Sequence, residues 1–371
     1  MDLFTYGTLM APELMRAVAG AGPLDPVPAT LRDHIVRPVS HDVFPVITPQ
    51  KEAVVEGILW RGLTSDQIAR VDLYETPFGY SPEELAITVS GGDIMARCYM
   101  PLSENLPKEG IWSFDDWAAA HLQPSIYAAQ ELYAHRPLPD PGALRRMWPM
   151  IESRAWSRHR ATVAPSALRH DAVPGDMRIV AERPPHGSFF RLQGVDVTHR
   201  RFDGQRSHVL VREVFLGVDA VILLPYDPVR DKVLLVEQVR MGPAARRDPN
   251  PWMLEPIAGI VDARETPEDA AHREAAEEAE LTLRHVEKVS AFYCSPGSST
   301  DYFYTYVGLC DLPGSTAYLG GLEEEGEDIR LHPISFDRAM ELADTGEIAT
   351  GPLLFLLNWL ARHRDRLRAM A

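Results

Sequence analysis

The chain has 371 residues, 45% of them hydrophobic and 24% charged, with a formal net charge of −16. That length asks for two domains with connecting helices, and that charge excludes a nucleic-acid backbone as the main partner. Three widely spaced cysteines, Cys98, Cys294 and Cys310, make neither a disulfide framework nor a metal-ligand pattern and fit a reduced, cytoplasmic setting; no basic leader opens the chain, and no apolar run of about 18 residues is there to span a membrane.

Residues 1–110 read as a first domain of short strands and turns, with one helix at "TSDQIARVDLYE". Residues 111–170 read as a helical connector, because "DDWAAAHLQPSIYAAQELYAHR" and "GALRRMWPMIESRAWSRHRA" space their large apolar residues at helical intervals around the turn "PLPDPG". Residues 171–371 form the last domain. Its strand-like runs are "RIVAERPPHG", "FFRLQGVDVTHRRF", "HVLVREVFLG" and "DAVILLPYDPVRDKVLLVEQVRMG", the last folded back at "YDPVRD". "PWMLEPIAGI" reads as a strand entering a loop, and "PLLFLLNWLARHRDRLRAM" as a packed C-terminal helix.

Between these lies "GIVDARETPEDAAHREAAEEAEL", with eight acidic residues in 23 positions. Thr266 is a helix cap, Pro267 suits the first helical position, and Asp269 is the acid three residues after the cap. The helix carries Glu274, Glu277 and Glu278 on one face and Ala271, Ala275 and Ala279 on the other. Like charges at these spacings repel. Two readings account for them: a solvated acidic face, or a site where a divalent cation cancels the repulsion and clamps a phosphate-bearing substrate.

The complete spacing, Gly259, Glu265 and Arg273-Glu274-Ala275-Ala276-Glu277-Glu278, resembles the Nudix box. Glu280 stands where that family has glycine in a left-handed conformation, a substitution costing roughly 1 kcal/mol without removing a ligand. With "DPVRDKVLLVEQVR", "SPGSSTDYFYTYVG" and "GLEEEGEDIRLHPIS", residues 176–371 look like the ADP-ribose pyrophosphatase branch. The resemblance implies Mg²⁺ or Mn²⁺ held by Glu274, Glu277, Glu278 and the carbonyl of Ala258. It implies Glu325 as general base with Glu327 assisting, Glu324 being a near alternative. It places Phe189 on the adenine, Arg212 and Arg240 on phosphates and ribose, and Asp301 near the terminal ribose, where the branch has glutamate. From the residues alone, Phe189 equally reads as a core or edge aromatic and Arg212 as a surface arginine. The branch further implies a homodimer and conversion of ADP-ribose to AMP and ribose 5-phosphate.

"LFTYGTLM", "VVEGILWRGLT" and "VDLYETPFGYSPEELAITV" are similar to the γ-glutamylcyclotransferase-like family over residues 1–105. That resemblance implies a loop, Tyr6-Gly7-Thr8-Leu9, holding the substrate's α-carboxylate and amine. Glu75 would shuttle a proton as the amine attacks the γ-carbonyl, and Tyr80 would be the following aromatic. The other reading makes Glu75 a helix-end acid in a domain kept for binding or assembly, and the alternative for the protein is a sensor that binds ADP-ribose or a γ-glutamyl compound without significant turnover. The fold class expected is α/β (α+β): an N-terminal γ-glutamylcyclotransferase-like β-barrel with helices, the helical connector, and a C-terminal Nudix α/β/α sandwich with a mixed sheet.

Overall fold

The computed structural model describes all residues except 41, 104, 162–166, 188, 315, 323–326 and 371. It has two compact units, Met1–Arg212 and Glu213–Ala371.

The first unit opens with β1 (Leu3–Thr5), α1 (Pro12–Ala19), β2 (Asp25–Pro38), β3 (Pro45–Arg61), α2 (Ser65–Glu75), β4 (Tyr80–Val89) and β5 (Gly92–Pro101). The strands close a barrel in the order β1-β3-β2-β4-β5, and β5 returns to β1 in parallel. Strand alternation separates two apolar sets. Phe4, Leu31, Ile47, Leu59 and Ile87 pack strand against strand, while Leu3, Val46, Trp60 and Tyr99 face helices. Two features depart from expectation. β2 and β3 are long strands of 14 and 17 residues, and α1 forms where only strands and turns were expected.

The expected helix after Leu63 starts at a capping box in which Thr64 and Gln67 satisfy each other's backbone N–H groups. The connector is a pair of helices, α3 (Phe114–Ala134) and α4 (Pro141–Arg160), capped by Ser113 and Asp140. Trp117, Leu132, Leu144 and Ile151 share one core with Leu14, Met15 and Val71, so the pair is built into this unit. After it, β6 (Met177–Glu182), β7 (Arg191–His199) and β8 (Leu210–Leu216) make a three-stranded sheet in that order, and the division between units falls within β8.

The second unit contains β9 (Asp219–Asp227), β10 (Lys232–Val239), α5 (Met241–Arg246), β11 (Trp252–Glu255), β12 (Ile257–Ile260), α6 (Pro267–Ala279), β13 (His285–Tyr293), β14 (Tyr302–Leu309), β15 (Tyr318–Gly320), β16 (Ile329–Ser335), α7 (Phe336–Thr345) and α8 (Gly351–Arg368). Its eight-stranded sheet runs β13-β14-β9-β10-β16-β15, with β11 beside β10 and β12 beside β9. The sheet is mixed, since β14 and β9 are parallel. One face, with Val221, Leu223, Leu234 and Val236, packs on the alanines of α6. The other, with Ile222, Leu224, Val233 and Leu235, packs on α7 and α8. This is the expected three-layer sandwich.

The run "PWMLEPIAGI" is two strands, because Pro256 has no N–H to continue a ladder. β11 stays on β10 while β12 crosses to β9, and Gly259 on β12 lies against Glu274 in the middle of α6. The strand expected to run through Gly242 ends at Val239, and α5 follows.

Candidate active site

In the second unit, α6 begins as expected. Thr266 accepts a hydrogen bond from the Asp269 N–H, and Pro267 holds the first helical position. Ala270, Ala271 and Ala275 are fully buried, and side chains that small let the helix lie close to the sheet. It ends at Glu280 in a left-handed conformation, φ 53° and ψ 32°, with the Glu280 N–H on Ala276 O and the Leu281 N–H on Ala275 O. Glutamate thus occupies the strained exit that glycine would take without cost.

The three acids do not share one environment. Glu278 is 2% exposed, and its Oε2 has no hydrogen-bond partner among the described residues. Burial pushes its carboxyl up to about 8, with the charges of Glu327 and Glu274 adding and the Ala258 N–H opposing. Glu274 lies flat on β12, so close that a Cβ on Gly259 would overlap its carboxylate. Burial raises it to about 7. Glu277 is more exposed and turns toward Arg273.

Arg273 is the hub that sequence reasoning missed. It donates to Glu265 at 3.0 Å, Glu274 at 2.5 Å, Glu277 at 2.9 Å and the Ile260 carbonyl at 2.9 Å. Its spacing of four from Glu277 was the available signal. Among the described residues no three His, Cys, Asp or Glu side chains converge as a ready-made cage.

Glu327 belongs to the same electrostatic cluster, and its carboxylate accepts from the Leu322 N–H at 3.1 Å. Just before it, the Gly321 N–H donates to the Glu278 carbonyl at 3.0 Å, and a Cβ on Gly320 would overlap that same oxygen. Glu325 and Glu324 fall in 323–326, outside the described residues.

Arg240 precedes α5 and is held by Glu255 on β11 at 2.5 Å, a partner the sequence did not announce. Asp301 lies over Gly217, where a Cβ would overlap its Oδ1, and accepts from Ser299 Oγ at 2.6 Å. Phe189 and Arg212 belong to the first unit. Phe189 is 51% exposed with its ring edge-on to Phe190, and Arg212 is exposed, donating to the Val211 carbonyl.

The barrel holds a second cluster. Tyr6 is buried and donates to the Tyr99 carbonyl at 2.8 Å. Thr8 and buried Leu9 lie in a single 3-10 turn. The glycine at 7 has φ −130°, so the turn does not use the left-handed region. Its small size is what matters, since a Cβ would stand 2.6 Å from Pro45 Cγ. Glu75 ends α2 among Tyr6, Tyr74, Tyr80, Tyr99 and Tyr133, all of which feel its charge. Burial alone raises its carboxyl to about 7. Tyr80 donates to the Pro45 carbonyl at 2.7 Å. Asp72, by contrast, is taken up structurally by Arg97 and by the Tyr99 hydroxyl at 2.7 Å. Without a hydrogen-bond partner among the described residues, a carboxyl with such a value can exchange a proton near neutrality.

Residues 3–119 match the family model described as gamma-glutamyl cyclotransferase, AIG2-like, and residues 216–348 match the NUDIX domain. Among relatives, ADP-ribose pyrophosphatase of Escherichia coli (strain K12) is 38% identical over 206 residues, covering 98% of that protein and 54% of this chain. ADP-ribose pyrophosphatase of Haemophilus influenzae is 35% identical over 187 residues, 86% of that protein and 50% of this chain. GDP-mannose pyrophosphatase of Enterobacter sp. (strain 638) is 29% identical over 187 residues, 94% of that protein and 50% of this chain.

Proposed function

The chain belongs to the Nudix hydrolases of the ADP-ribose pyrophosphatase kind, with an AIG2-like γ-glutamyl cyclotransferase domain at its N-terminal end, and from that premise we propose that it hydrolyses ADP-ribose to AMP and ribose 5-phosphate. The observation that carries this is Glu278, a carboxylate 2% exposed with an unpartnered oxygen, beside Glu274 and Glu327. Burying excess negative charge in this way is unfavourable unless a cation compensates it. The donor set is all oxygen and suits Mg²⁺ or Mn²⁺.

Glu274, Glu277, Glu278 and the Ala258 carbonyl are the ligands we assign. The cation, when bound, supplies neutralisation of the diphosphate oxygens and a lowered pKa for the attacking water. Arg273 bridges Glu265, Glu274 and Glu277 and so orients them. Arg240, steadied by Glu255, is suited to binding phosphate oxygens. By the resemblance, Phe189 is assigned to the adenine, Arg212 with Arg240 to the phosphates and ribose, and Asp301 to the terminal ribose. Glu325 takes the proton from water as oxygen attacks one phosphorus in line and the bridging oxygen leaves with the other phosphate. Glu327 supports that step from its place beside Glu278. The test is to incubate the full chain with ADP-ribose, with Mg²⁺, with Mn²⁺ or with neither, and identify products by mass spectrometry. AMP and ribose 5-phosphate only with a cation are expected; cation-independent product would sink the assignment.

For the barrel, the aromatic-lined Glu75 supports cyclisation of a γ-glutamyl compound. Glu75 would accept a proton from the α-amine as it closes on the γ-carbonyl, with Tyr6, Gly7, Thr8 and Leu9 framing the substrate. Release of 5-oxoproline from γ-glutamyl amines tests it, and binding without release would favour a sensor role for this unit. A second substrate for the hydrolase is favoured by Asp301 and by the GDP-mannose pyrophosphatase relative, and comparing rates on the two sugars decides it.

We assign a homodimer and a cytoplasmic setting. Exposed Met177, Ile179, Val180 and Val211 on the three-stranded sheet support association through that sheet. Light scattering at assay concentration tests the dimer. The three cysteines are free, and among the described residues no helix is long and apolar enough to cross a membrane.

A further inference from the structure

Glu131, His135, Arg154 and Arg191 all lie between the two family matches, which cover residues 3–119 and 216–348, so neither family model accounts for them. They meet inside the first unit, where the C-terminal end of α3, the second half of α4 and the first residue of β7 come together. Arg154 is 7% exposed and Arg191 1%. Arg154 turns the Nε–Nη2 edge of its guanidinium on Glu131: Nε donates to Oε1 at 2.9 Å and to Oε2 at 3.1 Å, and Nη2 donates to Oε1 at 2.7 Å. Its Nη1 donates to the Phe189 carbonyl at 3.0 Å, so every nitrogen of this guanidinium has a partner.

Arg191 is not satisfied in the same way. Its Nη1 lies 2.6 Å from Glu131 Oε1, an oxygen already taken by Arg154, and the contact is not aligned as a hydrogen bond. Nε and Nη2 are buried with no hydrogen-bond partner among the described residues. These two nitrogens form the same edge that Arg154 offers to Glu131, a pair of parallel N–H groups spaced for two oxygens of one carboxylate or phosphate.

The charges point the same way. Two guanidinium groups face one carboxylate. His135, which ends α3, is neutral near pH 7, because burial and then Arg191 push its pKa down to about 4. Its Nε2 is also buried with no hydrogen-bond partner among the described residues. A guanidinium stays protonated in a protein, so the cluster keeps one positive charge in excess. Burying such a charge is strongly unfavourable unless an opposite charge joins it.

We infer that the Nε–Nη2 edge of Arg191 binds one small oxyanion, a carboxylate or a phosphate group, at the junction of α3, α4 and β7. A single anion balances Arg191 as Glu131 balances Arg154. The planar fork selects an ion with two oxygens over a spherical halide, which cannot lie in line with both N–H groups. Neither of the reactions proposed above is needed for this site.

The experiment equilibrates the full chain, free of divalent cations, with sodium phosphate, sodium acetate or sodium chloride at matched ionic strength near pH 7. Hydrogen exchange is then followed in peptides from α3, α4 and β7, which separates this site from any anion held in the second unit. Beyond saturation, each tenfold rise in a bound oxyanion should slow exchange there by up to about tenfold, with chloride far weaker. Slowing by phosphate alone assigns a phosphoryl ligand, and slowing by acetate as well assigns a carboxylate. Arg191→Met leaves Glu131 and Arg154 as a balanced pair, so it should exchange no faster than the parent in chloride and lose the response to both oxyanions. Arg191→Lys keeps the charge without the fork and should lose the preference over chloride. Equal protection of the parent in all three salts overturns the inference, water then being the partner of these N–H groups. A response that persists in Arg191→Met places the anion elsewhere and overturns it too. Should Arg191→Met not fold, an undiminished oxyanion preference in Arg191→Lys is equally decisive against it.

Discussion

Replacing Gly259 by alanine separates the chemistry of the acidic helix from its stability. The new Cβ would overlap the Glu274 carboxylate and stand 2.6 Å from Glu274 Cγ. The atoms in the way belong to a side chain that can rotate, so the expected response is expulsion of Glu274 toward solvent. Two energies then oppose each other. Extra volume against a packed strand costs about 1–3 kcal/mol. Releasing a carboxylate that burial has pushed from 4.5 up to about 7 recovers at most about 3 kcal/mol above pH 7 in the cation-free protein. Net stability should change by no more than about 3 kcal/mol, or about 12 °C in Tm for a unit of this size. Activity has no such compensation. Outer partners of metal ligands usually cost 10–100-fold when lost, so displacing an assigned ligand should lower cation-dependent kcat/KM by at least about 100-fold. Paired thermal unfolding and ADP-ribose hydrolysis read both quantities. A folded Gly259→Ala protein with kcat/KM within threefold of the parent would refute the argument that Gly259 seats Glu274 for catalysis.

Glu278→Gln should abolish cation-dependent hydrolysis while leaving Tm at pH 8 equal or higher, since a buried charge is removed; persistence of near-parental turnover would move the ligand assignment elsewhere. Glu325→Gln is expected to lower kcat far more than it changes KM, and an unaltered kcat would transfer the base role to a neighbour. For the barrel, Glu75 has its folded pKa raised to about 7 from 4.5, so its ionisation costs stability that is absent below pH 4.5 and fully imposed above about 7. Glu75→Gln should therefore raise Tm at pH 8 and leave it unchanged at pH 4. 5-Oxoproline release by the parent should rise through pH 7 and be lost in Glu75→Gln; a flat pH–rate profile would remove Glu75 from the proton path.

The parts of this architecture legible in the sequence are those with local causes. Thr266, Pro267 and the alanine positions define α6 within a dozen residues, and Thr64 with Gln67 does the same for α2. The helical pair is written in its apolar spacing. Less legible were features that depend on partners distant along the chain. Gly7 reads in the sequence only as part of a substrate-holding loop, yet what demands glycine there is Pro45. One apolar run became β11 and β12 because two different strands compete for it on either side of Pro256. The Glu131–Arg154–Arg191 network joins three elements separated by 23 residues or more, and no motif announces it. α1 was missed because its apolar positions sit among residues that also suit a strand–turn reading.

The seat of Gly320 and Gly321 against the last turn of α6 sets how this region can diverge. Because the Glu278 carbonyl leaves no space for a side chain at position 320 and receives the N–H of 321, the chain is re-registered there whatever happens before Tyr318. Residues added or removed between Leu312 and Tyr318 would therefore be absorbed before reaching Glu327, while a single residue gained or lost between Gly321 and Glu327 would change the reach of every acid that follows. Among descendants of one ancestral gene, length should drift freely on the first side of that glycine pair and be held constant on the second.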